Sequence, residues 1–224
     1  MFQFRFARIS ASVLLALIFL APRPAFAAEA CTPTPEEESI WRGIQGSSDP
    51  RLYLSYLRQF PQGCYRPVAI FYINSLVPAK VDLRVDGAFS DNRRFQVEGE
   101  TWIDAGLSGA GPNWVNQFRV IQVSEDPLKV KVLVQCESVG IGRSGWVEGP
   151  CHPGGSSFLQ GLSARLTGTW ADFYDINIDC LTKVGFGGDQ RQLVRNGEWC
   201  GASSAAPGRH VNGMALSVLR KQFQ

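Results

Sequence analysis

Apolar positions along the chain follow two periods in succession, a helical one and then an alternating one. Between residues 34 and 75 the spacing is helical: Ile40, Trp41 and Ile44 fall on one face, and Leu52, Tyr53, Tyr56, Leu57 and Phe60 on another. Thr34-Pro35-Glu36-Glu37 supplies an N-cap, a proline at the first helical position and a capping-box glutamate, so a helix starts there and ends near Gly46. Asp49-Pro50 starts a second helix, Phe60-Pro61-Gln62-Gly63 stops it, and Pro67 opens a third through Val68, Ile70 and Phe71. After Pro78 the period becomes two. Residues 81–85, 130–134 and 174–178 alternate apolar with polar side chains, as half-buried strands do, and glycine clusters separate them. The boundary between the two regimes falls at 76–80.

Within the alternating part the pattern repeats. Residues 131–142 and 176–187 match as strand, cysteine, polar pair and Val-Gly-apolar-Gly, which sets Cys136 and Cys180 44 residues apart. Trp102-Ile103-Asp104 and Trp146-Val147-Glu148 are also 44 apart, and each leads through a glycine-rich loop (106–111 and 149–155) to a strand, 114–123 and 158–166. A third copy runs through Trp199-Cys200-Gly201 to a strand over 211–219. Three units result, about 80–128, 129–172 and 173–221. Cys136 and Cys180 hold one place in units two and three, and Cys151 and Cys200 another, so Cys136–Cys151 and Cys180–Cys200 are the expected bridges. Cys31 and Cys64 remain, and their bridge would staple the helical segment, which is too small to fold robustly alone.

The N-terminus explains why disulfides are expected. Arg5 and Arg8 precede an uncharged apolar run of twelve residues (9–20), Pro22 and Pro24 break it, and Ala25-Phe26-Ala27 offers a small-x-small cleavage pattern. The run is too short to span a bilayer, so residues 1–27 read as a cleavable signal peptide and the mature chain as secreted or periplasmic, with no integral membrane segment left. Residues 28–78 then form the helical hairpin segment and 79–224 a three-repeat β domain. Cleavage removes Arg5, Arg8 and Arg23 and no acidic residue, which takes the formal charge from +2 to −1. Such a chain has no basic field for nucleic acid and no polybasic membrane patch.

Unit three carries Val184-Gly185-Phe186, Asn196-Gly197-Glu198, a glycine-rich stretch and Met214-Ala215-Leu216-Ser217-Val218-Leu219. Unit two carries Gly145-Trp146-Val147 with Gly149, and unit one Trp102-Ile103 with Gly106. The pattern resembles the hydrophobic-W repeat family of bacterial surface proteins over about 140 residues. It departs from that pattern at Leu193, where a tryptophan is usual, and in its added cysteine pairs. The resemblance implies a secreted or surface-bound binding or adhesion module, not an enzyme. Trp41, Asp49-Pro50, Tyr53, Tyr56-Leu57 and Phe60-Pro61 together resemble a short helical motif found beside exported bacterial caspase-like peptidases, although no peptidase motif is present.

Catalytic chemistry finds little support. His152 sits in a Pro-Cys-His-Pro-Gly turn beside a cysteine already assigned to a bridge, and His210 is read as a solvent-facing loop residue. No cysteine–histidine cluster has zinc spacing, and no metal or other cofactor is expected. Gly185 to Asp189 imitates a dinucleotide loop without the following helix. Asp175 and Asp179 would stand about 13 Å apart on one strand face, too far for the carboxylate pair of a glycosidase. Aromatic residues offer the better lead. Trp102, Trp146 and Trp199 are read either as core or as a platform, with Asp104, Asn113, Glu148, Arg195, Asn196 and Glu198 beside them as candidate direct contacts. The expected fold is mainly β, a pseudo-threefold all-β module of β-prism or β-trefoil type with the helical hairpin in front. The expected role is lectin-like or adhesin-like binding of an envelope glycan or a surface protein. An accessory or inhibitor of an exported peptidase, docking through the hairpin, is the alternative, and a glycoside hydrolase the less favoured one.

Overall fold

The computed structural model describes residues 31–104, 115–123, 129–151, 158–184, 187–202 and 209–223, with backbone only at 104, 184, 187–189 and 209. Three helices come first: α1 (Pro35–Ile44), α2 (Pro50–Gln59) and α3 (Arg66–Leu76). Each starts as its sequence predicts. Thr34 Oγ1 accepts the Glu37 N–H at 3.1 Å, Asp49 Oδ1 accepts the Arg51 N–H at 3.0 Å, and a proline occupies the first turn of all three. The helices close over an aromatic core. Trp41 stacks on Tyr65 at 4.8 Å between centroids and meets Tyr56 edge-on, while Tyr53 stacks on Tyr72 at 4.7 Å. Cys31–Cys64 joins the start of α1 to the loop after α2, with a Cα separation of 5.4 Å.

Twelve strands follow: β1 (Lys80–Val81), β2 (Leu83–Phe89), β3 (Arg94–Glu98), β4 (Ile103–Asp104), β5 (Val115–Gln122), β6 (Lys131–Ser138), β7 (Gly142–Arg143), β8 (Leu159–Thr167), β9 (Tyr174–Val184), β10 (Gly187–Arg195), β11 (Cys200–Gly201) and β12 (Arg209–Arg220). The chain is mainly β with an N-terminal helical region, and it carries three disulfides. The strands form three antiparallel sheets. The first is ordered β3-β2-β5, the second β11-β8-β6-β7, and the third β1-β12-β9-β10 with β4 also on β12. Leu83, Val85, Phe118, Val132, Val134, Leu162, Ile176, Ile178, Met214 and Leu216 all turn into one buried core, as alternate residues of a half-buried strand must.

Two details of register matter for the site. The pairings β2–β5, β6–β8 and β9–β12 each carry a bulge, opposite the 88/89, 137/138 and 181/182 steps, so Asn116, Gln160 and Asn212 are the extra residues. Moreover, three short segments pair outside the sheet of their sequence neighbours. Ile103 pairs with Met214 on β12, Cys151 with Phe118 on β5, and Cys200 with Leu162 on β8. The disulfides Cys136–Cys151 and Cys180–Cys200, with Cα separations of 6.0 and 6.2 Å, tether two of these crossing segments. They are the bridges expected from sequence. The helices rest against the end of the third sheet, where Arg220 donates to the Asn74 carbonyl at 2.8 Å and to that of Val77, and Arg58 pairs with Asp172 at 2.8 Å. Among the described residues no helix is long and apolar enough to cross a membrane.

Candidate functional site

The tryptophans singled out in the sequence are half-buried, and each lies beneath an arginine. The Arg191 guanidinium stands 5.1 Å above the Trp102 ring, Arg165 4.4 Å above Trp146 and Arg143 3.9 Å above Trp199. Trp102 and Trp199 occupy matching places. Trp102 precedes the segment that crosses to β12 and its indole lies on Gly213; Trp199 precedes the one that crosses to β8 and its indole lies on Gly161. A Cβ on Gly213 would meet the Trp102 ring at 2.9 Å, and one on Gly161 would meet Trp199 at 2.7 Å, so only glycine lets the rings lie flat there. The fixed spacing of 44 pairs Trp102 with Trp146 instead. Strand register puts Trp146 beside Val147, which faces Val134, just as Leu193 stands beside Val194, which faces Ile178.

Both indoles are therefore parts of a row that crosses a sheet. On the third sheet the row reads Arg191, Leu181 and Gly213, with the Trp102 indole lying over Gly213; on the second it reads Arg143, Glu137 and Gly161, with the Trp199 indole lying over Gly161. Carboxylates fix the arginines from the side. Arg191 forks onto Asp179 (Nε to Oδ1 2.8 Å), and Arg143 reaches the buried Glu137 at 3.2 Å. The Trp199 Nε1–H donates to the Ala202 carbonyl at 3.1 Å. With one face on glycine and the other under a guanidinium, neither ring is an open stacking platform.

Among the described residues, the first sheet has the corresponding row without an indole. Arg94 faces Ala88, Ala88 faces Gln117, and the residue before the crossing Cys151 is Pro150. A groove of about 640 Å³ opens there, lined by Arg94, Phe95, Gln96, Gln117, Arg119 and Pro150 with Asp86 and Gly87. Asp86, which lies two residues before Ala88 as Asp179 does before Leu181, is taken by Arg119 at 2.9 Å and not by Arg94. Arg94 is exposed. None of these groove residues was singled out in the sequence, because the signal is a missing tryptophan, visible only once register fixes the row.

The polar candidates are mostly committed to local structure. Asn196 adopts φ 45° and Gly197 φ 92°, a left-handed pair at the tight turn after β10. The Asn196 side chain accepts the Ile176 N–H at 3.0 Å and donates to Asp175 at 2.7 Å. Glu198 accepts the Arg195 N–H at 2.9 Å, and Glu148 pairs with Lys131 at 2.9 Å. Arg195 also lines a smaller cleft of about 230 Å³ with Glu100, Asp179 and Leu193. Asp104 lies on β4, where only its backbone is described, and Asn113 lies outside the described residues, as do His152, Gly185 and Phe186. His210 lies in β12, half-buried, and its ring meets Phe158 edge-on at 5.5 Å. The loop residue expected from sequence is thus a strand residue.

Cys151 is oxidised and cannot serve as a thiolate nucleophile. Asp172, Asp175 and Asp179 each have different partners: Arg58 for the first, Asn196 and Lys221 for the second and Arg191 for the third. Among the described residues no group of three or more His, Cys, Asp and Glu could hold a metal. Among the described residues, the fold and groove define a disulfide-bonded, mainly β chain in which two rows carry an indole and the third carries a groove. No family model, no curated protein and no solved structure matches the chain.

Proposed function

We propose that the protein is an exported, non-catalytic binding module of three like β-units closed about an axis, a β-prism more than a β-trefoil, and that it binds an envelope glycan or a surface protein. The crossing segments support the closed arrangement: unit one pairs onto unit three, unit two onto unit one, and unit three onto unit two. Bulges at Asn116, Gln160 and Asn212, each one residue after a fully buried Val115, Leu159 or Val211, support the equivalence of the units. Three separate sheets favour the prism. The hydrophobic-W resemblance and the leader at 1–27 favour a place at the cell surface or in the periplasm.

The observation that carries the reading is the groove on β3-β2-β5, a concave site in the size range of about 300–1,000 Å³ typical of ligand pockets. Binding of the mature chain to a glycan array and to a panel of purified envelope proteins tests it. The expected result is a binder whose signal falls in Gln96→Ala and Arg119→Ala with thermal stability kept; retained binding in both variants would overturn the placement of the site. A second reading, docking of the helical hairpin on an exported peptidase, is favoured by the exposed Leu52, Val68 and Phe71 on α2 and α3. Phe71→Ser that abolishes binding to such a partner, with the groove variants unaffected, would decide for it.

A further inference from the structure

We infer that the groove on β3-β2-β5 is a receptor for an aromatic side chain, tryptophan first, presented by a partner polypeptide. The inference rests on the binding-module reading and narrows its ligand. The protein itself shows twice what such a row accepts. Trp102 and Trp199 each arrive on a short crossing segment, lie across the outer strand beside the crossing, and sit under the arginine at the far end of the row. In the third instance the arginine is present as Arg94, the crossing is present as the Cys151–Phe118 pairing, and the ring is replaced by Pro150. The space a ring would take is the groove itself.

The chemistry of the lining suits that occupant. Arg94 is exposed, and the carboxylate best placed to hold it, Asp86, is engaged by Arg119. Among the described residues nothing pairs with its guanidinium, which can lie over a ring face, an interaction that strengthens as the pair is desolvated. Phe95 offers an apolar wall, and Gln96 and Gln117 offer carbonyl oxygens to an indole N–H, as the Ala202 carbonyl does for Trp199. Gln117 stands where the filled rows have glycine, and its long flexible side chain can swing aside where a branched one could not. A single aromatic anchor in a pocket of this kind is how protein interfaces concentrate their affinity.

The test uses the mature, disulfide-bonded chain, isotopically labelled, with N-acetyltryptophanamide as probe. Amide shifts are expected at Arg94, Gln96 and Gln117, with N-acetylleucinamide leaving them unmoved. Arg94→Ala, at an exposed position that cannot disturb the core, should weaken the probe about tenfold, as expected for loss of one cation–π contact in a partly desolvated site. Pro150→Trp should supply the missing ring from within and abolish probe binding, with the melting temperature kept or raised. The inference is overturned if the probe shifts other residues, if the leucine control shifts the same amides, or if Arg94→Ala leaves the titration unchanged. If chitotriose shifts these amides and the tryptophan probe does not, the aromatic occupant falls while the binding module stands. If neither does, the groove is lost as the site for both.

Discussion

Glu37 is a carboxylate in an aromatic core, only 4% exposed, and its neighbours explain why it stays charged. Burial pushes its carboxyl up. The Tyr56 hydroxyl, which donates at 2.5 Å, and the backbone N–H groups of Tyr65, Cys64 and Thr34 outweigh burial and hold it below the ordinary value of 4.5. Because the folded value lies below the unfolded one, this stabilisation is complete above the ordinary value and is lost as pH falls through the folded value. Glu37→Gln is expected to cost about 2 kcal/mol at neutral pH and to flatten the acid side of the Tm–pH curve. Melts at stepped pH check both. At Gly161 and Gly213 the constraint is spatial. Alanine there must push an indole off its strand, so each variant should lose about 1–3 kcal/mol, read by chemical denaturation with tryptophan fluorescence. Trp102→Ala and Trp199→Ala should lose about 3 kcal/mol, because the rings are packed on backbone below and a guanidinium above. A pure surface platform would lose almost nothing.

At the level of elements, the two cross-tied segments owe their position to sulfur as much as to pairing. Cys151 holds to the first sheet by one bridge pair and Cys200 to the second by two residues of ladder, and each is also bonded to the sheet it leaves, at Cys136 on β6 and Cys180 on β9, so each of these two crossings is anchored at both sheets. Replacing Cys136 and Cys151 by alanine is expected to cost about 3 kcal/mol in the chain-entropy account of a loop closed over 15 residues. A thermal melt of the double variant beside wild type measures it. Much of this was legible in the sequence: the capped helices, the alternating strands and the bridges, which followed from Cys136 and Cys180 sharing a strand position. Local patterns and a covalent count suffice for those. The rows were not legible, since spacing of 44 joined Trp102 to Trp146 while hydrogen bonding joins Trp102 to Trp199 in kind. Loops of unequal length separate the strands, and a fixed offset cannot follow them. At Asn196 and Glu198 the sequence cannot separate two roles: a turn that needs a left-handed pair recruits the same polar residues a binding loop would.

For the molecule as a whole, β12 is the strand on which most else depends. It pairs with β1, β4 and β9, so it gathers the start of the β region, a crossing segment and the longest hairpin into one sheet. A chain ended at residue 208 is expected to lose cooperative unfolding of all three sheets together, followed by circular dichroism; a sharp transition at the original temperature would contradict a single cooperative core. The same strand brings the two ends of the β region side by side, with Lys80 opposite Leu219 and Val81 opposite Val218. These strands run antiparallel, so a force drawing the two ends apart would load their hydrogen bonds one after another, as a zip is opened, and never all at once in shear. A tether made through both ends would let go under modest tension, whereas one that pulled through the disulfide-locked second sheet would meet covalent bonds first.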